Sequence, residues 1–259
     1  MQYHLLARGG EASIKENGWV TPSTCHPLSP SYLASSMRIL VIDVGGTNIK
    51  MLATGHMKVR KFPSGPTMTP REMIKGVLRE TADWSFDVVT IGYPGPVING
   101  KPALEPKNLA KGWVHFDFAG RFGKPVKIIN DAAMQALGSY RGGCMLYLGL
   151  GTGLGSAFIF ERALAPLELA HLPYKNGKTF EDFVGLRGLN RLGRKAWERI
   201  VADVVHRLKA AFIADYVVLG GGNAKLLKNV PAGAVVGKNK NAFLGGYRVW
   251  QEAGKKDEG

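Results

Sequence analysis

Two glycine turns, Gly45-Gly46-Thr47 and Gly151-Thr152-Gly153, each separate two apolar runs. Turns of this kind present consecutive backbone N–H groups with no Cβ in the way, a concave nest for phosphate oxygens. A third cluster, Gly220-Gly221-Gly222-Asn223, follows another apolar run. Two carboxylates stand at the ends of such runs, Asp43 before the first turn and Asp131 after Asn130. Open α/β sheets bind ligands at the C-terminal ends of their strands, where a carboxylate can take a proton or hold a cation through water. Aspartate at these boundaries also caps helices and stabilises turns.

The segments that must position these groups are legible from periodicity. Arg38 to Val44 (RILVIDV) is a short β-branched run that predicts a buried strand, and Ile49 to Ala53 resumes β character after the glycine turn. Further strands are predicted over Lys58 to Phe62, Asp87 to Tyr93 and Val126 to Asn130. Thr69-Pro70-Arg71-Glu72 is a capping box with proline at the first helical position, opening a helix expected to reach Trp84. The pattern then recurs: Cys144 to Leu150 and Gly155 to Phe160 flank the second turn. Ala196 to Ile213 places Trp197, Ile200, Val201, Val204 and Leu208 on one helical face. Tyr216 to Leu219 reads as a strand, a short helix follows from Ala224, and Asn241 to Trp250 reads as a closing helix. Two copies of one strand–turn–strand unit predict a duplicated α/β architecture with two lobes and a ligand cleft between them. Both turns join strand to strand, so neither is a Walker A loop or a Rossmann fingerprint, and no helix dipole holds an anion there.

Composition bounds the function. The 259 residues are 45% hydrophobic and 21% charged, as in ordinary globular domains. Lys and Arg number 34 against 20 Asp and Glu, a net charge of +14 that favours an anionic partner. Cys25 and Cys144 allow at most one disulfide and no thiolate-rich zinc site, which suggests a reducing cytoplasm. The charge-free stretch Gly142 to Phe160 contains six glycines, suited to tight turns rather than lipid, so no membrane span is expected. Residues 1–36 include a Ser/Pro-rich run without helical or strand period and are expected to be a disordered or non-native extension. Lobes are expected over 37–130 and 131–250, with a charged tail over 251–259.

The ordered motifs carry a resemblance. Asp43-Val44-Gly45-Gly46-Thr47-Asn48-Ile49-Lys50 resembles the first phosphate motif of the ROK branch (repressors, open reading frames, kinases) of the sugar kinase, hsp70 and actin superfamily. Leu150 to Ser156 resembles the second phosphate motif, and Leu219 to Asn223 the adenosine motif. Pro94 to Val97, Asn108-Leu109, Asn130-Asp131 and Glu168-Leu169-Ala170-His171 fall between them in the family's order. Within that branch the chain is similar to bacterial polyphosphate glucokinases, which lack the cysteine-rich zinc loop. Lys175 to Glu181 (KNGKTFE) stands where that loop would fall, so no structural zinc is expected. Ala170 departs from the glycine usual in the Glu-x-Gly-His motif.

The resemblance implies an actin-like, ribonuclease H-like ATPase fold and a hexose kinase, with glucose the foremost sugar and ATP or inorganic polyphosphate the donor. It makes Asp131 the base and assigns Asn108, Asn130, Glu168 and His171 to the sugar. Asp43 would hold Mg²⁺ through water. Gly45, Gly46, Thr47, Lys50, Gly151, Thr152 and Gly153 would meet phosphate, and Gly221, Gly222 and Asn223 the nucleotide. Seven cations between Arg187 and Lys209 against Glu198 and Asp203 leave a stripe that a polyphosphate chain could track. A homodimer would follow family habit. Two alternatives remain, a sugar-sensing regulator and a non-catalytic actin-like binding protein. The first needs a winged helix-turn-helix that residues 1–36 show no period for, and the second predicts loss of Asp43 or Asp131.

Overall fold

The computed structural model describes residues 37–251 except residue 239; the expected extension over 1–36 and the tail from residue 252 lie outside the described residues. The first sheet opens with β1 (Ile39–Val44), buried on both faces and apolar except for the half-buried Asp43, then β2 (Asn48–Ala53), which alternates buried and half-buried positions. The two pair antiparallel around the Gly45-Gly46-Thr47 tip. β3 (Arg60–Pro63) adds to β2, two residues later than the sequence suggests. Helix α1 (Pro70–Glu80) starts at the expected capping box but stops four residues short of Trp84. Thr81 closes its last turn by bonding the Val77 carbonyl through both N–H and hydroxyl, and Trp84 packs beyond it against His56 and Arg60.

β4 (Val88–Tyr93) runs parallel to β1, and the short hairpin β5 (Val97–Ile98) and β6 (Lys101–Pro102) leads to the small helix α2 (Phe118–Phe122). β7 (Val126–Asn130) completes the sheet beside β4, and α3 (Asp131–Ser139) follows directly. The order is β3-β2-β1-β4-β7.

The second sheet repeats this plan. β8 (Met145–Leu150) and β9 (Leu154–Phe160) pair antiparallel around Gly151-Thr152-Gly153, and β10 (Ala163–Leu167) adds to β9. A small hairpin of β11 (Pro173–Lys175) and β12 (Lys178–Thr179) precedes α4 (Phe180–Val184), α5 (Leu186–Leu192) and α6 (Arg194–Ala211). The predicted long helix is thus divided from α5 at Gly193, whose φ of 71° no helix accommodates. β13 (Tyr216–Gly220) lies parallel to β8 and to β14 (Ala234–Val236), giving the order β10-β9-β8-β13-β14. Each sheet therefore has one antiparallel hairpin bearing a glycine tip and two parallel strands.

Between the sheets lie α3 and the last helix α7 (Asn241–Gln251), each packed on the lobe it does not follow in the chain. Ala132, Ala133 and Ala136 of α3 pack with Met145, Tyr147, Ala157 and Ile159 of the second sheet. Ala242 and Phe243 of α7 pack with Ile39, Val41 and Val88 of the first. Burying an aliphatic or aromatic side chain in this way contributes about 1.5–3 kcal/mol. The helices cross at glycines: a Cβ on Gly138 would overlap the Asn241 carbonyl oxygen, and one on Gly245 that of Met134. Arg248 Nη1 reaches back to the Leu137 and Tyr140 carbonyls at 2.6 and 3.2 Å, satisfying the C-terminal end of α3. No helix among the described residues is long and apolar enough to cross a membrane.

Candidate active site

Because β1–β2 and β8–β9 occupy equivalent places in the two sheets, their tips can face one opening. They share a cleft of about 450 Å³, lined by Gly45 and Gly46 from the first tip and Gly151, Thr152 and Gly153 from the second. Asn108, Asn130, Asp131, Glu168, His171 and Gly221 line the same cleft. Residues distant in sequence are thus brought together around one space. Asp43, Thr47, Lys50, Gly222 and Asn223 do not line it; they adjoin, in sequence or by a hydrogen bond, residues that do or each other.

Asp131 opens α3, and Asn130, not Asp131, caps the helix, accepting the Ala133 N–H at 3.0 Å. The Asn130 amide also donates to the Gly95 carbonyl at 3.0 Å, tying β7 to the Pro94-Gly95-Pro96 loop. The Asp131 carboxylate accepts the Ala132 N–H at 2.7 Å. It lines the cleft and is half-buried. Burial there, then the neighbouring Asp43 charge and more weakly Glu168, push it up to about 7. The Ala132 N–H opposes that rise without cancelling it.

Asp43 has a side chain only 14% exposed and accepts Lys50 Nζ at 3.2 Å. Lys50 thus neutralises the second carboxylate of the pair from the solvent side. Glu168 precedes a single 3₁₀ turn, Leu169–His171, which brings its carboxylate within 3.9 Å of His171 Nε2. Both side chains are more than half exposed and face the cleft. At the second tip, Asn223 donates to the Gly151 carbonyl at 2.9 Å. Its neighbour Gly221 is the one member of the third glycine cluster that lines the cleft.

Several lining residues carried no motif. Glu105 accepts the N–H groups of Trp113 and Val114 at 3.0 and 3.4 Å, holding its loop against the cleft. Glu181 accepts the Leu154 N–H at 3.2 Å beside Gly153, and it arrives from α4, a five-residue helix whose start is marked in the sequence only by the Thr179-x-x-Asp182 capping box. Gln135 and Tyr147 also line the cleft; Gln135 could have been found as the residue one helical turn after Asp131. The seven-cation stretch is partly engaged within the protein. Arg187 pairs with Glu181 and Asp182, Arg194 with Glu198 and Arg207 with Asp203, and Arg191 bonds the Asp182 carbonyl.

Residues 39–165 match the ROK family, covering the first tip, Asp131 and the second tip. Over that stretch, about half of its length, the chain is similar to the ROK family. Its two sheets are the duplicated, two-lobed actin-like ATPase fold. An inorganic polyphosphate/ATP-glucomannokinase from Arthrobacter sp. strain KM superimposes with a TM-score of 0.71 at 24% identity, covering 84% of this chain and 100% of that one. The polyphosphate glucokinase of Mycobacterium leprae is 26% identical over 225 residues, 78% of this chain and 68% of that protein. An N-acetylmannosamine kinase of Vibrio vulnificus is 29% identical over 146 residues, 49% of each, so this chain spans about half the length of that relative.

Proposed function

We propose that this protein is a ROK-type sugar kinase that transfers a phosphoryl group from ATP or inorganic polyphosphate to a hexose, with glucose the first candidate. The observation that carries the reading is the Asp131 carboxyl, raised to about 7 in a cleft shared with both glycine tips and the Glu168–His171 pair. In this reading the sugar hydroxyl gives its proton to Asp131 as its oxygen attacks phosphorus, and the bond to the leaving phosphate oxygen breaks. A carboxylate poised near neutral pH both accepts that proton and returns it to water readily. Backbone N–H groups at Gly46, Thr152 and Gly153 then meet phosphate oxygens from two sides, in a recess where such bonds are stronger than in water; the Gly45 N–H, expected from the sequence to join them, is instead spent within the hairpin on the Asn48 carbonyl at 3.1 Å.

Among the described residues no group of three or more His, Cys, Asp or Glu side chains could hold a metal alone. Asp43 still fits a cation held through water, because Lys50 engages Oδ2 and Oδ1 is a hard oxygen. Mg²⁺ bound there with the phosphates would neutralise their charge. Glu168 and His171 fit a sugar, offering an acceptor and an imidazole to neighbouring hydroxyls. Lys195, Arg199 and Lys209 are the part of the α6 stripe outside the ion pairs above, and they keep polyphosphate in view as donor.

The relatives carry different sugar names, so a coupled assay over glucose, mannose, fructose and N-acetylmannosamine with both donors tests the proposal. At least one pair should turn over. No turnover with any pair overturns the reading.

A further inference from the structure

Resting on the kinase reading, one more residue can be given a role. Gln135 follows Asp131 by one helical turn on α3, so both side chains share a face and line the cleft. From β8, Tyr147 donates its O–H to Gln135 Oε1 at 2.7 Å. Tyr147 is 1% exposed, and its phenol fits only because its neighbours in the sheet lack side chains. A Cβ on Gly220 would overlap the hydroxyl, and one on Gly149 would stand 3.2 Å from the ring. Burial, then the charges of Asp131 and Asp43, raise the phenol above its ordinary value, so it keeps its proton and remains a donor.

A primary amide has one accepting end and one donating end. With Oε1 committed to Tyr147, Gln135 turns Nε2 to the cleft, where it has no hydrogen-bond partner among the described residues and is not buried from water. A purely donating group discriminates. Sugar hydroxyls donate and accept, whereas phosphoryl oxygens only accept. We propose that Gln135 Nε2 donates to the phosphoryl group in transit between donor and sugar, and that Tyr147 is the positioning residue that keeps nitrogen rather than oxygen facing it.

The test compares the full chain with Q135A, the similarly sized Q135M, Y147F and the Q135A/Y147F pair. It measures kcat, separate KM values for donor and sugar, and sugar affinity by calorimetry. Both Gln135 variants should lower kcat about 100-fold, as loss of one transition-state donor does, with sugar affinity unchanged. Y147F should lower kcat about fivefold by freeing the amide to rotate, and should add no loss once Gln135 is gone. Agreement between Q135A and Q135M excludes a packing defect as the cause. Wild-type kcat in both Gln135 variants, loss of sugar affinity instead, or an additive Y147F effect overturns the inference while leaving the kinase reading intact. Absence of turnover in the unaltered protein overturns the kinase reading and this inference with it.

Discussion

Asn223 Nδ2 donates to the Gly151 carbonyl oxygen at 2.9 Å while its own N–H donates to Leu150 at 2.9 Å, so the loop after β13 clamps the second glycine tip. The clamp fixes the direction of the tip's N–H groups. N223A is expected to cost about 1 kcal/mol of stability and to raise the KM for the phosphoryl donor several-fold with sugar KM unchanged. Thermal melts and steady-state kinetics check both.

Asp131 has opposite consequences for activity and stability. As the base it must be ionised, so kcat/KM should rise with pH through about 7, and D131N should abolish turnover while sparing sugar binding. For stability, the folded carboxyl holds its proton up to about 7, whereas the unfolded one releases it near 4. Between those values the folded state binds more protons, so this group's contribution falls as pH rises and is flat above the folded value. D131N removes the penalty. Its melting temperature should therefore exceed that of the parent at pH 8, by an amount equivalent to a few kcal/mol, and match it near pH 3.

The α3–α7 crossing tolerates no side chain at its closest points. G138A or G245A should push one helix off the other's backbone and cost about 3 kcal/mol or more, read as a lower denaturation midpoint. Since α7 also holds β4, through Thr90 to the Gly246 carbonyl at 2.8 Å and Trp250 Nε1 to Thr90 at 2.8 Å, both lobes should loosen together. Hydrogen exchange in β4 and β8 would report it.

Ile213, just past α6, is 84% exposed and held at φ 50°, a left-handed conformation costly for a β-branched residue. I213N should stabilise the fold by about 1 kcal/mol without altering kinetics. An unchanged melting temperature would contradict the strain.

Much of the fold was legible because its signals are local. The apolar runs of β1 and β8, the glycine tips after them and the Thr69–Glu72 capping box each specify conformation through neighbouring residues. β10 and β14 carried no such signal. They are short edge strands with exposed positions, and their extended form comes from pairing with β9 and β13. Two helix limits moved for reasons a periodic pattern does not contain: the Thr81–Val77 closure and the positive φ of Gly193. At the site, motif residues pointed to the tips and to Asp131, but it is packing that brings Glu181, Glu105 and Tyr147 to the cleft and sets Tyr147 against Gln135.

The sequence by itself determined the central strands, where their phosphate-nest turns lie and which acid ends a strand, since each follows from adjacent residues. Only the tertiary structure decided that α3 rests on the second sheet and α7 on the first, and that Asp131 and both tips meet around one cleft. Those contacts depend on how whole elements pack, through burial and close backbone approach at Gly138 and Gly245, and no window of neighbouring residues encodes that.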